Sequence, residues 1–447
     1  MKRLIFFYLL GVAFVGQAAT GPESDVQLAA QRFVELLTQT NYPGAEQQFD
    51  ATMAKALPEA ALRQTWEAVQ QQVGVFKRQL NIRTNRLEGY DVCLVGCEFE
   101  KAALDIKVVF DAQRRVAGLF FFPSAGLAES GGPPAYAQTN RFVERAITVG
   151  TGEWALPGTL TVPKSGGTPW PGVVLVHGSG PNDRDETVGG NKPFRDLAWG
   201  LATKGVAVLR YEKRTRQYSS RIAKSFPNLT VKEETIEDAL VAVDTLRGTA
   251  GVAGDRVYVL GHSLGGMLAP RIAMSGSNIA GLIILAGAAR PLEDLILEQT
   301  RYQTSLQGEP TESTKARVAE IEKEVAAVKA LRPAHPGDEN PLGAPASYWL
   351  DLKGYEPATV ARGIRLPMLI LQGESDCQVS AKADFALWRQ ALGARPDVTL
   401  RTYPALNHLF VHVDGQSTGA EYAKPGHVAE VVVSDIATWI KQEAGKR

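Results

Sequence analysis

The chain reads as an α/β protein in which a mostly parallel sheet, helices on both faces, carries a helical cap insertion and follows a small α+β domain. Three observations lead there. From about Asn140, short and nearly continuous apolar runs alternate with helical patterns, as parallel strands buried on both faces require. Before that point, two helical patterns are followed by four strand-like runs. Between the apolar runs GLIILAG and PMLILQG the alternation breaks, and the interval at about 289–362 is long enough to be a cap or lid over the strand ends.

The chain opens with Lys2 and Arg3, an apolar run from Leu4 to Val15, and the small-residue site Gly16-Gln17-Ala18. This predicts a signal peptide over 1–18 and export to the periplasm or beyond. The run is short for a bilayer span and no second stretch of about 20 apolar residues occurs, so no stable membrane span is expected after its removal. No Cys follows it, which argues against a lipid anchor.

Residues 24–123 form the small domain. SDVQLAAQRFVELLTQ and LPEAALRQTWEAVQQQV space apolar residues as helices do, whereas VFKRQLNIRTNRL, YDVCLVGCEFE, AALDIKVVFD and VAGLFFFP read as strands between turn residues. The domain holds no His and no catalytic grouping. A Gly-, Pro- and Ala-rich linker over 124–139 follows. In the second domain, 140–447, FVERAITV and ALPGTLTVP suggest an opening hairpin, and PGVVLVHG, GVAVLRYE, RVYVLGHS, GLIILAG, PMLILQG and VTLRTYP the remaining strands. PFRDLAWGLATKG, TIEDALVAVDTLRG, GMLAPRIAM, AKADFALWRQAL and VAEVVVSDIATWIKQ read as helices. Catalytic groups in such a sheet belong at the carboxyl ends of its strands.

Composition narrows the function classes. With 447 residues at 45% hydrophobic, full cores can be buried. The 48 basic and 48 acidic residues balance, so no field favours nucleic acid, and none is expected as a partner. No Cys/His spacing fits zinc and HExxH is absent, so no metal or organic cofactor is expected. Cys93 and Cys97 are four apart in a strand-like run, about 13 Å on a regular strand, beyond disulfide reach. Only a bulge at Gly96 could join them.

Chemistry enters at Gly261-His262-Ser263-Leu264-Gly265, set between the strand RVYVLG and the helical run GGMLAPRIAM. The pentapeptide alone is weakly specific; its context is what counts. A Ser on a tight strand-to-helix turn needs neighbours without side chains, and its hydroxyl then stands clear of the sheet with the Leu264 N–H placed for an oxyanion. A hydroxyl also needs a base. LPMLILQG runs into Glu374-Ser375-Asp376 and VTLRTYP into Asn407-His408, so Ser263, Asp376 and His408 stand in the chain order of a nucleophile–acid–base set. Glu374 competes with Asp376 for the acid. Among the other histidines, His412 is expected to pack, His427 to cap the last helix, His335 to lie in the cap's PAHPGD segment, and His177 and His262 to be structural. The glycine-bearing loop His177-Gly178-Ser179-Gly180-Pro181 should supply a second oxyanion donor, the Ser179 N–H. Asp183-Arg184-Asp185 is expected to brace that loop by ion pairs. Gly178, His262, Tyr348 and Trp349 are the expected substrate-pocket residues, the last two from the apolar cap patch PASYWL.

HGSGPNDRDE, GHSLGG, GESD and NHLF, in this order, resemble the α/β-hydrolase superfamily, and more narrowly the bacterial two-domain carboxylesterases of the EstD type, which carry an N-terminal domain of unknown function. The resemblance implies a Ser263–Asp376–His408 triad and hydrolysis of short-chain esters. One departure is local: relatives usually read D-K-R-G after the fourth strand, where this chain has Glu212-Lys213-Arg214-Thr215. The expected function is hydrolysis of a small-molecule carboxylic ester through an acyl-enzyme. Thioesterase or serine aminopeptidase activity could use the same triad, the latter with cap acids such as Glu293, Asp294 and Glu298 receiving an amine. A non-catalytic ligand-binding protein is the rival from another class, disfavoured because all three triad members are present. Oligomeric state is not readable from the sequence.

Overall fold

The computed structural model describes residues 25–87, 90–123, 132–165, 167–276, 278–333 and 340–446. The expected signal peptide, the first part of the linker and His335 lie outside the described residues. Two compact units divide the chain near residue 130, with the short segments 188–190 and 422–425 grouped with the first.

In the first unit, α1 (Asp25–Thr38) and α4 (Glu59–Val73) accompany the antiparallel sheet β1 (Phe76–Leu87), β2 (Tyr90–Phe99), β3 (Ala103–Phe110) and β4 (Val116–Pro123), in that spatial order. Helix α1 buries Ala30, Phe33, Val34 and Leu37, the spacing of a single helical face. They join Leu62 and Trp66 of α4 and the inward residues of β2 and β3 in one core. Two short helices, α2 (Tyr42–Glu46) and α3 (Ala51–Ala56), were not readable from periodicity; the side chains of Asn41 and Asp50 cap them. Cys93 and Cys97 are buried and free. They pair in regular register with Val108 and Leu104, and the two irregularities in the β1–β2 ladder fall on β1, between Phe76 and Arg78 and between Gln79 and Asn81, so no bulge of β2 joins the thiols. Burial pushes both thiols up to about 12, which keeps them unreactive.

The second unit is built on β5 (Phe142–Val149), β6 (Leu156–Pro163), β7 (Trp170–Val176), β8 (Ala207–Tyr211), β9 (Val252–His262), β10 (Leu282–Leu285), β11 (Met368–Gly373) and β12 (Val398–Tyr403). The order across the sheet is β12-β11-β10-β9-β7-β8-β6-β5, parallel except for β5 and β6. Alternate residues of a strand feed opposite layers. Val173 and Leu175 of β7 pack with α5 (Pro193–Thr203) and α15 (Glu430–Gly445), while Val174 and Val176 pack on the side of α8 (Glu237–Arg247), α9 (Leu264–Met274) and α14 (Asp384–Leu392).

The connection from β8 to α8 contains α6 (Arg214–Gln217), α7 (Ser219–Ser225) and a π-helical turn at Lys232–Ile236, none long enough to show a period in the sequence. Between β10 and β11 the insertion folds as α10 (Leu292–Ser305), α11 (Glu312–Ala330), α12 (Ala346–Leu352) and α13 (Pro357–Arg362). Its Leu295, Val325, Val328, Trp349 and Leu352 belong to the same core as α9, and Asp351 of α12 is ion-paired with Arg271 of α9 at 2.9 Å. Strands β7 and β9 are neighbours, yet β8 continues the sheet beyond β7 and β10 beyond β9. Their carboxyl ends therefore flank the point where the winding reverses, the place where this architecture opens a crevice.

Candidate active site

Ser263 sits between β9 and α9 with φ 53° and ψ −115°, a conformation outside the ordinary left-handed well that costs on the order of 1–3 kcal/mol. The surrounding glycines make it possible. A Cβ on Gly261 would meet the Gly265 oxygen at 2.2 Å, and one on Gly265 would meet the Val176 oxygen at 2.3 Å. Two hydrogen bonds hold the turn: Ser263 N–H donates to the Leu285 carbonyl, and Met267 N–H to the Ser263 carbonyl, each at 2.9 Å. The Leu264 N–H, at the first position of α9, belongs to the turn of N–H groups that a helix cannot satisfy internally.

The ends of β11 and β12 meet. His408 Nδ1 lies 2.8 Å from Asp376 Oδ2, and both side chains are almost fully buried. Asp376 is held on every lone pair that matters. Its Oδ1 accepts the N–H groups of Gln378 (2.7 Å) and Val379 (2.9 Å), and its Oδ2 also accepts from Gln372 Nε2 at 2.8 Å. With three other donors already on this carboxylate, Asp376 faces His408 as an acceptor, which places the imidazole proton on Nδ1. The His408 ring stacks at an angle against that of His262, centroids 4.7 Å apart, which brings it beside the residue preceding Ser263.

The loop after β7 closes the arrangement. Gly178 lies against Ser263: a Cβ there would come within 3.1 Å of the Ser263 Cβ. Its N–H donates to Glu186 Oε1 at 2.6 Å, and its carbonyl accepts from Lys213 Nζ at 2.8 Å and from Asn182 Nδ2 at 3.2 Å. Glu186 Oε2 is 2.9 Å from His262 Nδ1, while His262 Nε2 is 2.9 Å from the His408 carbonyl. Both ring nitrogens of His262 thus face acceptors, the pattern of an imidazolium. Burial opposes its charge, but Glu186 and the His408 carbonyl outweigh burial and raise its pKa. Burial likewise pushes the Glu186 carboxyl up, and His262 with the Gly178 N–H reverses this, leaving it below the usual carboxylate range. One buried ion pair therefore ties the Gly178 loop, the Ser263 turn and the His408 loop together. Glu186 and Lys213 were given no role in the sequence analysis, although both lie inside stretches quoted there, HGSGPNDRDE and Glu212-Lys213-Arg214-Thr215.

The remaining sequence candidates fall elsewhere. Glu374, the competing acid, accepts from Thr402 Oγ1 at 2.6 Å on the exposed side of the sheet end and makes no contact with His408. His412 does not pack as expected; its side chain is 67% exposed near Asp414. His427 is not a cap either: it precedes α15 and its Nδ1 lies 2.9 Å from Asp196 Oδ2, a partner on α5 that periodicity could not reveal. His177 is buried against Phe194 and Tyr211, and burial lowers it to about 4, so it is a neutral packing group. Arg184 pairs with Glu212 (2.7 Å), and Asp185 with Arg210 and Lys192, which braces the loop, whereas Asp183 accepts hydrogen bonds from Thr187. Tyr348 and Trp349 are buried in the core that the insertion shares with α8 and α9, and their polar atoms are taken by Glu234 Oε2 (2.9 Å) and the Pro341 carbonyl (2.8 Å). Of the cap acids, Asp294 is ion-paired with Lys329 and Glu298 with Arg290.

Residues 173–424 match the alpha/beta hydrolase family, and residues 30–119 match a protein of unknown function family (DUF3887). Esterase EstD of Thermotoga maritima is 38% identical over 410 residues, 91% of this chain and 93% of the relative. Among solved structures, Est1E from Butyrivibrio proteoclasticus aligns over 67% of this chain and 99% of its own, with 18% identity and a TM-score of 0.44. The hyperthermophilic esterase from Pyrobaculum calidifontis aligns over 71% and 89%, also with 18% identity and a TM-score of 0.44.

Proposed function

The chain belongs to the α/β-hydrolase family, and from that premise we propose that it is a serine hydrolase of the carboxylesterase type, acting on small or short-chain acyl esters. Ser263 Oγ attacks the ester carbonyl as His408 Nε2 takes its proton; the carbonyl π pair moves to oxygen, where the Ser179 and Leu264 N–H groups receive it. Collapse breaks the bond to the alcohol oxygen, which leaves with the proton from His408. Water then repeats the sequence on the acyl-enzyme and releases the acid, so ester and water become acid and alcohol. Asp376 keeps His408 in the tautomer with Nε2 free to accept. The leader at 1–18 would export the enzyme to the periplasm or beyond.

The observation that carries this reading is the buried His408–Asp376 hydrogen bond at 2.8 Å, with the His408 ring packed on the residue before the strained Ser263. Two of the three cap acids, Asp294 and Glu298, are occupied by Lys329 and Arg290, which supports an ester over an aminopeptidase substrate. A fluorophosphonate probe followed by peptide mass spectrometry tests the nucleophile: the adduct is expected on Ser263 and lost in Ser263→Ala. Rates on p-nitrophenyl acetate, longer acyl esters, acyl thioesters and aminoacyl amides test the substrate class. Labelling elsewhere overturns the triad, and amides faster than esters by orders of magnitude overturn the esterase assignment.

A further inference from the structure

Lys213 is 2% exposed and touches neither Ser263 nor the His408–Asp376 pair, so the proposed mechanism leaves a buried cation unused. Its position is specific. Lys213 Nζ is 2.8 Å from the Gly178 carbonyl and 2.8 Å from Glu234 Oε1, and its own N–H donates to the Asn182 carbonyl at 3.1 Å. Glu234, in the π-helical turn, is fixed from its other oxygen by the Tyr348 hydroxyl of α12 at 2.9 Å. The Gly178 carbonyl and the Ser179 N–H belong to one peptide unit, and a trans peptide points these two groups in opposite directions. Holding the carbonyl on Lys213 therefore turns the Ser179 N–H away from it, and Glu186 fixes the preceding peptide by accepting the Gly178 N–H.

We infer that Lys213, anchored by Glu234, is the positioning residue of the oxyanion site: by gripping the Gly178 carbonyl it orients the Ser179 N–H for the developing negative charge. The inference rests on the triad reading above and adds to it a residue that never meets substrate. The grip also has an electrostatic side. A cation on the carbonyl end of a peptide polarises the unit and strengthens its N–H as a donor. Through Tyr348 the cap reaches the same peptide, so cap and oxyanion site share one chain of charged hydrogen bonds.

The test is Lys213→Met, which keeps the stem and removes the donor, with Lys213→Met/Glu234→Gln as a companion that leaves no unpaired buried carboxylate should the single variant fail to fold. Expected is a loss in kcat on p-nitrophenyl acetate on the order of tenfold to a hundredfold, short of deleting a donor outright, with KM nearly unchanged. A trifluoromethyl ketone, whose Ser adduct carries the oxyanion, should bind more weakly by the same factor. The corresponding amide, a ground-state isostere, should weaken by no more than about twofold. A merely structural lysine would move both inhibitors together or neither, and either outcome overturns the inference. If the parent protein itself is neither labelled at Ser263 nor inhibited by the ketone, the triad reading fails first; if it is, and the folded lysine variants keep parental kcat, only this inference fails.

Discussion

Replacing Asp376 by Asn changes one atom and should nearly abolish turnover, because the carboxylate accepts from four donors. These are Gln378 N–H and Val379 N–H on Oδ1, and Gln372 Nε2 and His408 Nδ1 on Oδ2. An amide offers a single accepting oxygen. The two backbone N–H groups are fixed by the loop, so the oxygen stays with them and the new NH2 takes the place of Oδ2. Gln372 Nε2, also bonded to the Gly373 and Val379 carbonyls, resists rotation. His408 gives way instead: it accepts at Nδ1 and carries its proton on Nε2, the nitrogen that receives the Ser263 proton in the proposed mechanism. The wrong tautomer at a serine triad costs about 10⁴ in kcat, and at ~1.4 kcal/mol per tenfold that is about 5.5 kcal/mol of barrier. The assay is kcat and KM on p-nitrophenyl acetate for Asp376→Asn beside Glu374→Gln, with melting curves showing that both fold. Glu374, turned toward Thr402, should tolerate the change with less than a twofold effect. Asp376→Asn activity within tenfold of the parent, or a Glu374→Gln loss exceeding it, refutes the assignment of the acid.

Three other outcomes are expected. Gly265→Ala places a methyl 2.3 Å from the Val176 oxygen and 2.6 Å from that of His177; thermal melting should show a loss of about 3 kcal/mol, whereas Gly132→Ala, with nothing within 4 Å, should melt like the parent. The Glu186–His262 pair sets a pH window. The lowered Glu186 pKa adds stability above the ordinary value of about 4.3, lost as pH falls through the folded one, and the raised His262 pKa adds stability below about 6.5, lost as pH rises through its folded value. Urea midpoints of the parent minus those of Glu186→Gln/His262→Asn should therefore differ most near pH 5–6 and shrink on the alkaline side; a difference constant to pH 10 contradicts the pairing. Finally, Cys93, Cys97 and Cys377 are free, so denatured, unreduced protein should titrate three thiols, and a count of one would mean that two had paired.

Local pattern was enough for much of this molecule. Alternating apolar runs and helical periods, each set by residues within one turn or one strand, announced the parallel sheet, the α+β domain ahead of it and the helical insertion. The Gly261–Gly265 turn was equally legible, because its glycines answer to crowding within the turn and against the adjacent β7 end. The short helices α2, α3, α6 and α7 escaped since one or two turns carry no period. Two histidine roles could not be assigned from neighbours along the chain: His427 found Asp196, and His412 found solvent, through contacts across the fold. The same holds for the grip on Gly178. Glu186, Lys213, Glu234 and His262 are far apart in sequence, in the loops after β7 and β8 and at the last position of β9. Only the folded sheet, which gathers those strand ends at the point where its winding reverses and buries them, turns four scattered charges into a single clamp on the peptides flanking Gly178.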